Sequence, residues 1–378
     1  MNSTRSDGTI PVTVVSGYLG SGKTTLVNHL LNDPQGHEIA VVVNDMGEVN
    51  IDAELIADSD ADADDGVIDL SNGCICCRLQ SDLLTEVKRL AETRSFDYLL
   101  VEASGISEPI PIAQTFTVGS EESDVDPTDY YRLDTTVSVV DAYGFWKEFD
   151  VEEGLPDRMR TPDRPFANVL VDSIEFCDVL LLNKCDMVPD EELDRIEAIV
   201  EELQPRADIV RTEYSAVDPA RVLGTGRFDF ERAQREVGWK QQLAGDHGHD
   251  HGDDGNDHDH RSTAERHGVA STVYRRREPF HPGRLDAWLD DWDGNVVRAK
   301  GFFRLAGRPD AVMGLSQAGP SIQAGPIGTW DEADDPETRL VFIGTDLDAD
   351  ALAASLDDCL ATAEEIAVGE FDDPFPTT

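Results

Sequence analysis

The stretch Gly17-Tyr18-Leu19-Gly20-Ser21-Gly22-Lys23-Thr24 decides the fold. It follows a β-branched run, Pro11–Ser16, and leads into a segment of helical character from about Gly22 to Asn32, so it joins a strand to a helix. In that setting the pattern G-x-x-x-x-G-K-[ST] is a phosphate-binding loop. Its glycines let the backbone close on a phosphate, while successive N–H groups at a helix N-terminus concentrate positive potential there. The expected nucleotide contacts are Gly17, Gly20, Ser21, Gly22, Lys23, Thr24 and Thr25, with Lys23 reaching the β/γ-phosphates and the Thr24 hydroxyl ligating Mg²⁺.

Further apolar runs follow at Glu38–Val43, Tyr98–Glu102, Thr136–Val140 and Val179–Leu182, with helices expected at Ser81–Thr93, Ala167–Phe176 and Asp190–Leu203. Nearly continuous apolar strands alternating with helices imply an α/β domain whose mainly parallel sheet is covered on both faces. Gly119–Asp134 and Asp150–Pro165 read as surface insertions, and Asp141 closes a strand without a role that its neighbours define. Composition changes at Gly245–His267, where Asp, His and Gly leave almost nothing to bury, as in a linker. Beyond it, strands at Thr272–Arg276, Val297–Leu305 and Leu340–Gly344 with helices near Gly283–Asp291 and Asp350–Thr362 imply a smaller α+β C-terminal domain. The expected division is therefore a P-loop NTPase domain over 1–244, a linker over 245–269, the C-terminal domain over 270–366 and an acidic tail over 367–378.

Two motifs specify the nucleotide chemistry. Asn183-Lys184-Cys185-Asp186 follows the strand Val179–Leu182 and has the N-K-x-D form that reads guanine. A carboxylate such as Asp186 accepts both the N1–H and 2-amino protons of guanine, and adenine offers neither, so GTP is the expected substrate. Glu102, at a strand end, is placed to act on Mg²⁺, directly or through water, or to orient the attacking water, and Gly105 falls where backbone meets the γ-phosphate. Lys23, Glu102 and Gly105 are the expected catalytic set.

Cys74, Cys76 and Cys77, three thiols within four residues, offer soft ligands for Zn²⁺ or a similar ion, with an outside ligand or water completing a tetrahedron. Adjacent cysteines make poor disulfides, and Cys177, Cys185 and Cys359 read as packing residues. His247, His249, His251, His258 and His260 cluster in the linker, with His267 at its end, as weak accessory ligands of low geometric selectivity. Arg275–Arg277 reads as a solvated strand face with one buried ion pair, and His281 as a turn residue.

The 378 residues carry 77 acidic and 31 basic side chains, a formal charge of −46. That charge excludes a nucleic-acid partner, which needs a basic footprint. No apolar run approaches the ~20 residues of a membrane span, and the first residues have no apolar signal region, so a cytoplasmic protein is expected. Only six of the basic residues are lysines, which with the acidic excess suits a salt-rich cytoplasm where repulsion is screened.

Taken together, the P-loop, Cys-x-Cys-Cys, Glu-x-Ser-Gly and Asn-Lys-x-Asp motifs resemble the CobW family of metal-chaperone P-loop GTPases. Thr272–Arg277, Pro279–Pro282, Arg298–Phe303 and Ser316–Gly319 resemble that family's C-terminal domain, especially in its zinc-homeostasis branch. The resemblance implies GTP hydrolysis coupled to transfer of an ion carried by Cys74, Cys76 and Cys77 to a client apo-metalloprotein. The switch segment usual in the family, Glu-Asn-Glu-Phe-Gly-Glu, here reads Val43-Asn44-Asp45-Met46-Gly47-Glu48, so Val43 replaces a carboxylate while Glu48 remains to join the thiolates. The metal is expected to be Zn²⁺, with Co²⁺ or Fe²⁺ for enzyme maturation as the alternative, and a non-enzymatic zinc reservoir as a third reading. Oligomeric state, a homodimer included, stays open.

Overall fold

The computed structural model describes residues 9–44, 67–69, 87–105, 109–117, 126–148, 166–229, 232, 268–290, 295–331 and 335–377. Two compact units make up the chain. Among the described residues the first contains seven strands, β1 (Ile10–Ser16), β2 (Ile39–Asn44), β3 (Val67–Asp69), β4 (Tyr98–Ala103), β5 (Tyr131–Asp141), β6 (Val179–Asn183) and β7 (Asp208–Arg211). They form one sheet in the order β3-β2-β4-β1-β5-β6-β7, and every neighbouring pair is parallel. Helices α1 (Lys23–Asn32) and α2 (Pro109–Thr115) belong to this unit, and α3 (Phe166–Glu175) and α4 (Asp190–Leu203) follow along the chain.

The apolar runs explain the layering. All seven residues of β1 are buried. Val12 and Val14 join Val42, Leu99 and Val101 in one cluster, closed by Val87 and Leu90 from helical residues 87–93 and by Ile112 of α2. Val15, Val41 and Leu100 point to the other face, where Leu26, Val27 and Leu30 of α1 cover them. Each fully buried large aliphatic side chain contributes about 1.5–3 kcal/mol, so the two apolar faces hold the sheet from both sides. With β1 flanked by β4 and β5, the loop after β1 lies where strand order reverses, the place where open α/β sheets bind ligands.

β5 begins at Tyr131, inside the stretch that reads as an insertion. Its first turns of sequence look polar, yet Tyr131 is buried with its hydroxyl on the Val87 carbonyl at 2.7 Å, and buried Asp134 accepts from Thr135 Oγ1 at 2.9 Å and Gly226 N at 3.2 Å. Satisfied internal polar groups hold that end of the strand together with Tyr131 and Leu133, which join the apolar cluster.

The second unit holds an antiparallel sheet in the order β11-β10-β9-β12-β8, built from β8 (Val269–Arg276), β9 (Val296–Leu305), β10 (Arg308–Ala318), β11 (Ser321–Thr329) and β12 (Thr338–Thr345). Alternate residues such as Tyr274, Phe303, Met313, Leu340 and Phe342 form its core with Leu285 and Leu289 of α5 (Pro282–Asp290) and Leu356 of α6 (Ala349–Asp357). β10 and β11 escape sequence reading because Gly314, Gly325, Pro326 and Gly328 interrupt them, and β11 is an edge strand where proline is tolerated. The helix expected over Asp350–Thr362 is α6, which ends at Asp357, and Thr362 caps a further short helix, α7 (Ala363–Val368), in a capping box with Glu365. Residues that read as an acidic tail dock on this unit. Arg308 Nε bonds Asp373 at 2.6 Å, its Nη2 bonds the Phe375 carbonyl at 2.6 Å, and the Phe375 ring is buried 6.0 Å from that of Phe303. Among the described residues no helix is long and apolar enough to cross a membrane.

Candidate functional site

The phosphate loop connects β1 to α1 through three left-handed glycines, Gly17 (φ 136°), Gly20 (φ 73°) and Gly22 (φ 112°). A Cβ at Gly17 would stand 2.2 Å from the Val139 carbonyl oxygen, and one at Gly22 would stand 2.4 Å from Asn183 Nδ2. Glycine is required at both by conformation and by space. Within the loop Ser21 is buried, and its Oγ has no hydrogen-bond partner among the described residues. Lys23 is buried as well, and its Nζ donates to the Tyr18 carbonyl at 3.2 Å, folding the ammonium back over the loop. Thr25 is exposed on the first turn of α1.

Thr24 and Glu102 meet. Glu102 lies on β4 in register with Val15 of β1, only 1% exposed, and its Oε1 accepts from Thr24 Oγ1 at 2.9 Å. A hydroxyl and a carboxylate held together beside the loop form the oxygen donor set that a hard divalent cation such as Mg²⁺ takes. Gly105 packs on the loop itself, since a Cβ there would lie 2.9 Å from the Leu19 nitrogen.

The N-K-x-D segment is tied to the loop through Asn183, which is buried. Its Nδ2 donates to the Ser21 carbonyl at 2.8 Å, while its Oδ1 accepts from Ser215 N at 2.8 Å and Thr212 Oγ1 at 3.2 Å. Ser215 Oγ in turn donates to the Gly22 carbonyl at 2.9 Å. Asn183 is thus a brace between three loops. Tyr214 and Ser215 both have positive φ (53° and 54°), and Tyr214 is 77% exposed. Lys184 also has positive φ (62°), and its ammonium bonds Asp141 at 2.7 Å, while Asp186 is exposed on the turn that follows. Sequence reading missed Thr212 and Ser215 and assigned Asp141 no role. A short polar segment directly after β7 and an acid closing β5 are the signals that mark them.

Cys177 and Cys359 are buried, as expected of packing residues, and burial pushes the Cys177 thiol far up from its ordinary value. Arg276 and Arg277 pair with Asp357 and Asp335, two ion pairs rather than the one expected, and neither is buried. His281 N donates to the Cys359 carbonyl at 2.8 Å, and its ring meets Phe371 edge-on. Glu48, Cys74, Cys76 and Cys77, and the linker residues His247, His249, His251, His258, His260 and His267, lie outside the described residues, as do Asp45–Gly47. Among the described residues no group of three or more His, Cys, Asp and Glu is placed to hold a metal ion.

Fold and site define a P-loop nucleotide-binding protein followed by a second, antiparallel unit. The family model for the CobW/HypB/UreG nucleotide-binding domain matches residues 11–211, and that for the cobalamin synthesis protein CobW C-terminal domain matches 269–360. The chain belongs to the CobW family. It is similar to zinc-regulated GTPase metalloprotein activator 1 of Dictyostelium discoideum, with 36% identity over 96% of this chain and 82% of that one. It is also similar to zinc chaperone CobW of Sinorhizobium sp (27%, over 93% and 97%) and zinc chaperone YjiA of Escherichia coli strain K12 (25%, over 92% and 97%).

Proposed function

We propose that the chain hydrolyses GTP and uses the nucleotide state to carry a zinc ion to a client metalloprotein. The observation that carries the GTP half is the Asn183 brace, which fixes the guanine-reading segment to the carbonyl of Ser21 in the phosphate loop. The zinc half is supported by the relatives' names, zinc chaperone and zinc-regulated GTPase metalloprotein activator. In this reading the loop glycines and Lys23 bind the phosphates, Asp186 accepts from the guanine edge, and Glu102 with Thr24 holds Mg²⁺. Magnesium supplies charge neutralisation on the phosphates when bound. Glu102 and the Gly105 backbone orient the attacking water.

The zinc cargo rides on the thiolates of Cys74, Cys76 and Cys77, with Glu48 as a fourth ligand, and the linker histidines gather ions loosely. Nucleotide state then biases the ion's grip. Moving zinc occupancy from 1:99 to 99:1 takes a difference of about 5.5 kcal/mol between the two states. The test is zinc affinity by competition with a chromophoric chelator, in GTP and in GDP, alongside turnover of GTP and ATP. Tighter zinc binding in one nucleotide state and preferential GTP turnover are expected. Equal zinc affinities sink the coupling, and equal turnover sinks the guanine assignment. Replacing the three thiols by serine is expected to abolish delivery to the client while GTP turnover continues.

A further inference from the structure

Asp141 ends β5 beside Asn183, its register partner on β6, and the next residue's N–H donates to the Asn183 carbonyl at 2.9 Å. Its two carboxylate oxygens serve different neighbours. Oδ1 accepts from the backbone N–H groups of Tyr143 at 3.0 Å and Gly144 at 3.2 Å, which turns the chain at the end of the strand. Oδ2 accepts from Lys184 Nζ at 2.7 Å. Lys184 occupies the left-handed region, uncommon and strained for a residue with a side chain, and such strain persists only where surrounding contacts hold it. The short turn carrying Asp186 hangs from this residue, since Met187 N donates to the Lys184 carbonyl at 3.0 Å. Asn183 and the Cys185 N–H, which donates to the Thr212 carbonyl at 3.2 Å, fix the turn on its inner side, and the Asp141–Lys184 pair holds it through a side chain.

We propose that Asp141 is a positioning residue for nucleotide selection: by anchoring the Lys184 ammonium it holds the left-handed turn that presents Asp186, and so sets the preference for guanine over adenine. The proposal rests on the guanine reading above. It differs from a purely structural role, in which Asp141 merely caps the turn at Tyr143 and Gly144.

The full chain tests it through three variants, Asp141→Asn, Lys184→Met and the double variant, with kcat and KM measured for GTP and for ATP. Asp141→Asn keeps an oxygen acceptor for the turn and removes the charge facing Lys184. Lys184→Met breaks the same contact from the other side and leaves the turn's cap intact, so it serves even if the first variant folds poorly. Losing a hydrogen bond between charged groups predicts a rise of about tenfold in the KM for GTP, with kcat falling less than threefold. The KM for ATP should not move, so the GTP/ATP ratio of kcat/KM falls about tenfold. The double variant should be no worse than Lys184→Met alone, because both changes remove one interaction. An unchanged GTP/ATP ratio in both single variants overturns the proposal, as do losses that add fully in the double variant. Equal turnover of ATP and GTP by the unmodified protein overturns the guanine reading, and this inference with it.

Discussion

The parallel sheet buries both faces under apolar side chains and gathers the candidate-site loops at its carboxyl edge, whereas the antiparallel sheet packs its core on helices and ties its periphery with arginines. In the first unit, Gly17, Gly20, Gly22, Lys184, Tyr214 and Ser215 have positive φ in loops at that one edge, while Gln35, Gly36, Gly224 and Gly226 have it in turns elsewhere. In the second, positive φ falls mainly in turns, at Gly307, Gly319, Asp346 and Gly369. There Arg276 forks onto Asp357, Arg284 onto Glu365, and Arg308 joins Asp373 to the Phe375 carbonyl. The contrast teaches that Lys184, Tyr214 and Ser215 hold left-handed backbone beside the phosphate loop, while the smaller unit is tied by charge-assisted pairs. Arginine suits these pairs because a planar guanidinium binds both carboxylate oxygens at once.

Phe280→Ala separates the units most strongly. Phe280 is fully buried, with ring centroids 5.9 Å from Tyr274 and 6.1 Å from Phe303. Removing it should cost about 3–5 kcal/mol. Calorimetry is expected to show the second unit melting earlier while nucleotide binding by the first persists; simultaneous loss of both would mean that the sheets do not stand apart energetically.

Gly22→Ala attacks the other side of the comparison. The new Cβ would require φ 112° and would press on Asn183 Nδ2 at 2.4 Å and Ser215 Oγ at 2.6 Å, so loop and brace must part. A cost of about 2–3 kcal/mol, near 100-fold in nucleotide affinity, follows from strain and the displaced buried hydrogen bond. The melting of the second unit should stay where it was. Titration with a fluorescent nucleotide measures the first effect, and wild-type affinity would contradict the tight fit.

How far each unit was legible follows from the same contrast. The strands of the parallel sheet and the phosphate loop announce themselves, because burial on both faces demands unbroken apolar runs and the loop demands glycines at fixed spacing. The brace does not, since Asn183 reaches Ser21 across 162 residues of chain and its contacts with Thr212 and Ser215 exist only after folding. Asp141 hides for that reason too, its partner Lys184 being 43 residues away. In the antiparallel sheet, glycines and a proline masked β10 and β11, and the docked C-terminal residues looked like tail because an aspartate pair precedes Phe375. The thiol motif was the plainest chemical signal in the sequence, and it lies outside the described residues.

The smallest expected effect separates two roles of one side chain. Glu365 Oε2 accepts from Thr362 N at 2.8 Å in the capping box of α7, and the same carboxylate receives both Nη groups of Arg284 at 2.9 Å. The Arg284 fork first, and the Thr362 N–H second, hold its carboxyl down to about 2 from an ordinary 4.5. A carboxyl whose folded pKa is lowered adds stability above its unfolded pKa, and that stability is lost as pH falls through the folded value. The window therefore runs from about 4.5 down to about 2. Glu365→Gln keeps an oxygen for the cap, since glutamine also closes a capping box, but carries no charge toward Arg284. The variant should melt slightly earlier near neutral pH, with the gap from wild type closing as the pH is lowered across that window. Thermal melts of the second unit at a series of pH values read this directly, and a gap that stays constant with pH would assign the contribution of Glu365 to the cap alone.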